Sequence, residues 1–225
     1  MSKYLFILSE GTRDEMFYEL VAERVTGSSF QSTTDFRLRE GANRKTAMAS
    51  ARLLMSEVKR WKEQQDVAVI IAVDNDRSPD HPGATTNSSR PLPRHDLKKP
   101  PRYPALVKIV EDALGSDHSL WPVDVALAVP VEMIENWALL LMNPTRPQLP
   151  LFAEASQPIA REYYGSTPPP QLKDLRDAEA KAQGLSLDEF FRQAAKQDLD
   201  AAASVSPSFA LFLTDLRGWR KAQGS

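Results

Sequence analysis

The sequence predicts an α/β fold, a mainly parallel sheet flanked by helices, followed by a C-terminal helical subdomain. Three observations carry that expectation. Short apolar runs alternate with stretches of helical period, the order expected of a parallel sheet with crossover helices. Val67–Val73 is continuously apolar rather than alternating, the pattern of a strand covered on both faces. Past residue 143 the apolar runs give way to prolines and then to helical periods alone.

Tyr4–Leu8 reads as the first buried strand. Thr12 and Glu15 have capping-box spacing for a helix, along which Met16, Phe17, Leu20, Val21 and Val25 recur at helical intervals until Gly27. A short second strand is expected around Asp35–Leu38. Gly41-Ala42-Asn43 breaks the chain before a long helix at about 44–64, with Ala47, Ala51, Leu54, Val58 and Trp61 on one face. The strand 67–73 follows, then a long loop at 77–103, a helix at about 104–114 and a strand at 123–129. Pro130 leads into a helix at about 132–142. These elements make a predicted α/β domain over 1–143. Residues 144–170 hold Pro144, Pro147, Pro150, Pro158 and Pro168-Pro169-Pro170 and read as a stiff linker. The helical subdomain, 171–225, is expected to hold helices at about 172–183, 187–203 and 207–222. Gly184 stops the first, Ser186 and Glu189 cap the second, and Pro207 opens the third.

Composition narrows the function. The chain has 225 residues, a net charge of −2 and no cysteine, which excludes disulfides, thiolate metal sites and cysteine nucleophiles. Balanced charge argues against a protein that coats nucleic acid nonspecifically. No apolar run reaches the ~18 residues of a membrane span, and the N-terminus lacks a signal peptide's apolar core. A cytoplasmic protein with no membrane partner is expected.

Two acidic clusters fall directly after predicted strands. Glu10-Gly11 and Asp14 follow the first, and Asp74-Asn75-Asp76 follows 67–73. Ligands of open α/β sheets bind outside the carboxyl ends of the strands. Asp74 and Asp76, two apart on an extended chain, project to one side, and a hard cation takes such oxygens. Asp14 lies one helical turn beyond Glu10, and Glu135 sits in the first turn of the helix after the last strand. Turn or cap chemistry accounts for each cluster taken alone; together they predict one Mg²⁺ or Mn²⁺ site. Around it lie candidate phosphate contacts: Arg44 and Lys45 at a helix start, and Arg77, Arg94, Lys98 and Lys99 in the 77–103 loop. That loop holds six Lys and Arg residues against two aspartates. A basic loop beside acids can steer a phosphate backbone; a solvated insertion has the same composition.

Strand, Glu10-Gly11, helix, then a strand ending in Asp74-x-Asp76, resembles the TOPRIM domain of topoisomerases, bacterial primases and overcoming-lysogenization-defect nucleases. The Glu10-Gly11-x-x-Asp14 spacing resembles the nuclease branch. Val129-Pro130 with Ile134-Glu135-Asn136-Trp137 resembles a bacterial TOPRIM-related family of unknown function linked to phage defence. The resemblance covers about residues 3–142. It implies a TOPRIM/Rossmann-like core, Glu10 as acid/base or metal-bridging group, and Asp74 and Asp76 as metal ligands. The long proline-rich loop after Asp76 departs from it. The expected function is divalent-metal-dependent hydrolysis of phosphodiesters in nucleic acid, a nuclease with a role in phage defence. Two alternatives stay open: a non-catalytic metal- or phosphate-binding module that partners a defence or toxin protein, and a small-nucleotide phosphohydrolase.

Overall fold

The structure, a computed structural model, describes residues 3–9, 11–33, 44–63, 65–73, 102–117, 120–130, 134–143 and 172–219. Four strands and eight helices occur among them. They are β1 (Lys3–Leu8), α1 (Thr12–Thr26), β2 (Phe30–Thr33), α2 (Arg44–Trp61), β3 (Val67–Ala72), α3 (Arg102–Leu114), β4 (Asp124–Ala128), α4 (Ile134–Met142), α5 (Leu172–Ala182), α6 (Leu187–Ala194), α7 (Leu199–Val205) and α8 (Pro207–Arg217). The strands form one parallel sheet in the order β2-β1-β3-β4, so the expected α/β fold is present.

Central position explains the apolar run of β3. All six of its residues are buried, with β1 on one side and β4 on the other. Each fully buried Val or Ile contributes about 1.5–3 kcal/mol. The register Leu8↔Ile71 and Ala72↔Ala128 brings the carboxyl ends of β1, β3 and β4 to the same edge of the sheet. At the opposite edge, the Lys3 ammonium is buried and hydrogen-bonded to buried Asp124, with Asp66 at 3.5 Å. The first residues of β1 and β4 are thereby tied across β3. A buried lysine needs such partners, because desolvation of an isolated charge is costly.

The helices cover the sheet with some rotation from expectation. Glu15, Phe17, Tyr18, Val21 and Ala22 are the buried residues of α1. Tyr18, rather than Leu20, anchors that face, meeting Phe212 edge-on at 5.6 Å. The predicted capping box at Thr12 does not form. Gly11 is the N-cap, and no side chain caps α1 among the described residues. Gly27 closes the helix at φ 68, where a side chain would be strained. Along α2 the expected stripe is buried at Ala47, Ala51, Leu54 and Val58 and extended by Met48 and Met55, whereas Trp61 is exposed on one side and meets Tyr4 and Phe6 edge-on at 5.3 and 5.4 Å. The second strand is Phe30–Thr33, earlier than the predicted Asp35–Leu38, which lies outside the described residues. The long predicted helix at 187–203 is two helices: Asp198 interrupts it, its carboxylate accepting from the amides of Asp200 and Ala201 at 3.0 Å each to start α7. The capping box at Ser186 and Glu189 is present, and α8 begins at Pro207.

The chain divides into two compact units. The first comprises 1–73, 103–128 and 211–225; the second comprises 74–102 and 129–210. In the second unit α4 packs against α5, α6 and α7. Every residue from Ile134 to Leu141 is buried, which makes α4 the core of that unit. The Trp137 indole N–H donates to Ser208 Oγ at 2.9 Å, and its ring lies 5.1 Å from that of Phe209. In the first unit Asp215, from the part of α8 past residue 210, takes an outward amide of β4, accepting from Leu127 at 3.0 Å. An end strand otherwise offers its amides to any passing chain.

Candidate functional site

The acids singled out in the sequence divide into those the structure describes and those it does not. Glu10, Asp74 and Asp76 lie outside the described residues, as do Arg77, Arg94, Lys98 and Lys99. The strand residues leading to them are described. β1 and β3 are parallel neighbours with Leu8 paired to Ile71, and the strands, which end at Leu8 and Ala72, are followed by buried Ser9 and Val73. Glu10 and Asp74 are the next residues in the chain. Arg44 and Lys45 are the first two residues of α2; their side chains lie outside the described set.

The turn from β1 into α1 is held from within. Ser9 Oγ donates to the Gly11 carbonyl at 3.1 Å, and the same carbonyl accepts from the Glu15 amide at 3.1 Å. Gly11 has φ −154 and ψ 164, extended backbone open to any residue. A Cβ placed on it would meet only Asp14 Oδ2, at 3.8 Å. Asp14 thus carries its carboxylate back over the first turn of α1, toward the β1–α1 junction, where a negative group is favoured by the helix dipole.

Glu135 has a partner that the sequence reading did not name. It is 6% exposed, and its Oε1 accepts from Arg176 Nη1 at 2.6 Å. Arg176, 8% exposed, also holds Asp177 through Nε at 2.8 Å and Nη2 at 2.7 Å. This ion pair joins α4 to α5 inside the second unit. The sequence alone carried no signal for it: that Arg176 and Ala180, one turn apart, are buried on α5 is known only from the structure, and a buried arginine needs a carboxylate.

As to a metal, no three His, Cys, Asp or Glu side chains among the described residues lie close enough to hold one. Carboxylates of the kind expected after β1 and β3 are hard oxygens, the donor type that Mg²⁺ and Mn²⁺ take. No helix among the described residues is long and apolar enough to cross a membrane. The chain matches no protein-family model, no curated protein and no solved structure.

Proposed function

We propose that this protein is a divalent-metal-dependent phosphodiester hydrolase acting on nucleic acid, with Glu10, Asp74 and Asp76 as its metal-holding and catalytic acids. One observation carries the reading. The strand order makes β1 and β3 parallel neighbours, so the two acidic segments leave the sheet from adjacent strand ends on the ligand-binding edge of an α/β fold.

A bound Mg²⁺ or Mn²⁺ would polarise the scissile phosphate and favour ionisation of an attacking water. In this reading Asp74 and Asp76 orient the cation, and Glu10 exchanges a proton with the water or the leaving oxygen. Asp14 adds negative charge beside Glu10. Arg44 and Lys45, with Arg77, Arg94, Lys98 and Lys99, bind the phosphate backbone and offset the charge that grows in the transition state. Glu135, engaged with Arg176, is left out of the metal set. A place in phage defence rests on the TOPRIM resemblance.

The reading is tested by assaying DNA and RNA cleavage with Mg²⁺ and with Mn²⁺ for wild type, Glu10→Gln, Asp74→Asn and Asp76→Asn. Each variant is expected to lose at least about a hundredfold in rate while keeping the wild-type unfolding midpoint. Full activity in the variants, or no cleavage by wild type with either metal, overturns it. In the second case, Mn²⁺ binding that Asp74→Asn abolishes would leave the non-catalytic metal-binding module.

A further inference from the structure

The charge of α2 is out of proportion to that of the chain. The helix holds five lysines and arginines against one glutamate, in a protein whose net charge is −2. One of the five has a local partner: Arg60 holds Glu57 at 2.6 Å, three residues away on the same helix. Of Arg44, Lys45, Arg52 and Lys59, the last three share one row.

Lys45, Arg52 and Lys59 recur every seventh residue, about two turns of helix, and so stand in line along its axis. Ala49 and Ser56 fill the row between them. Ala49, Arg52, Ser56 and Lys59 are all exposed. Small residues between long cations leave a low floor on which an extended polyanion can settle. The row covers about 21 Å at about 1.5 Å per residue. It meets no acid until Glu63, beyond the end of α2. Leu53 and Trp61, the large exposed apolar residues of the helix, stand on a different row with Glu57.

Direction adds to this. Trp61, the last residue of α2, packs on Tyr4 near the start of β1, so the first residues of the helix stand toward the end at which the strands finish. The row therefore leads away from the carboxyl edge, where ligands of α/β sheets bind. The first turn of α2 holds Arg44 and Lys45 and no acid. The helix dipole favours negative groups there, by about 0.3–1 kcal/mol each, so at that end the positive charge works against the helix.

We propose that Arg52 and Lys59, with Lys45 at the head of their row, form a track for the phosphate backbone of a nucleic acid outside the carboxyl edge. This surface deepens the reading above, on which it rests, by naming what holds the strand beyond the acids. Phosphates succeed one another every ~3.4 Å along each strand of a duplex, so a row of this length meets several. An acidic protein would be held by aromatic or aliphatic anchors, and the row has none. Exposed cations bind phosphates chiefly by releasing condensed counterions, so the contribution is large at low salt and fades toward about 1 M.

The test uses the full chain, a chelator to prevent cleavage, and a labelled oligonucleotide, single-stranded and as a duplex, followed by fluorescence anisotropy across a salt series. Arg52→Gln with Lys59→Gln should lower the slope of log affinity against log salt by about 1.4 on the single strand and about 1.8 on the duplex, since each lost phosphate contact contributes about 0.7 and 0.9. Relative to about 1 M salt, this is a loss of roughly twentyfold to sixtyfold in affinity at about 0.1 M. Arg52→Lys with Lys59→Arg keeps both charges and should bind as wild type does. Lys181→Gln with Lys196→Gln, exposed lysines of the second unit, makes the same change in net charge and should leave the slope unaltered. No binding by wild type, or a row variant whose slope matches that of wild type or of the second-unit variant, overturns the proposal. Polyglutamate that competes as well as the oligonucleotide does would assign the row to an acidic protein and overturn it equally. The hydrolase reading is judged apart: cleavage by a row variant with an unchanged salt slope removes the track alone, whereas a wild type that binds through the row but cleaves nothing with Mg²⁺ or Mn²⁺ keeps the track and removes the hydrolase.

Discussion

Replacing Arg176 by methionine leaves Glu135 buried without its cation. The two side chains are 10% and 8% exposed and meet at 2.6 Å, so solvent screens them little. Removing one partner of such a pair costs about 3–5 kcal/mol, because the remaining charge keeps its desolvation penalty and loses its compensation. The accompanying contact to Asp177, whose side chain is 56% exposed, adds only about 0.5 kcal/mol. Against a total stability of about 5–15 kcal/mol, the single change is severe. Removing both charges, with Glu135→Leu and Arg176→Met together, should return the protein to within about 1 kcal/mol of wild type. Urea unfolding with 5-fluorotryptophan labelling measures this locally. The chain has four tryptophans, and Trp137 is the one in the second unit, so its fluorine resonance reports the unit that holds the pair. A loss below about 1 kcal/mol for Arg176→Met would refute the reasoning. So would a double variant as unstable as the two single changes summed.

Two further outcomes are expected. Asp198→Ala removes the cap of α7, which holds two amides at 3.0 Å, and should cost about 1 kcal/mol in urea unfolding, with Asp198→Asn recovering most of it. The raised pKa of Tyr103, about 12 against an ordinary 10.0 because of burial and then the Asp215 carboxylate, makes its contribution to stability fully present below pH 10 and lost as pH rises toward 12; in Tyr103→Phe, unfolding free energy measured across that window should fall less steeply.

Local periodicity made most elements legible. The doubly buried run of β3, the stripe of α2, the Ser186 capping box and Pro207 at the head of α8 all act through neighbours in sequence. The second strand was placed late because Phe30–Thr33 has little apolar character of its own and is held by pairing with β1. Thr12 and Glu15 have the spacing of a cap, yet the chain enters α1 through Gly11, whose carbonyl takes the first helical bond. Asp198 reads as one more polar residue until its carboxylate turns onto the following amides. Pairs across 41 and 121 residues, Glu135 with Arg176 and Lys3 with Asp124, leave no periodic trace. For the candidate site, the adjacency of the ends of β1 and β3 follows from strand order, which alternation alone does not set.

The make-up of the first unit bears on the order in which the protein can fold during synthesis. Its strands come from 1–73 and 103–128, but Asp215 and Phe212, which close β4 and α1, belong to its last piece, 211–225. The helices of the second unit, α4 to α7, are made before that piece and contact one another over shorter stretches of chain. Short-range contacts form sooner than long-range ones, so the inserted helical unit can be complete while β4 still has an open edge. Until α8 leaves the ribosome, the Leu127 amide on that edge lacks its Asp215 acceptor and is open to pairing with another nascent chain.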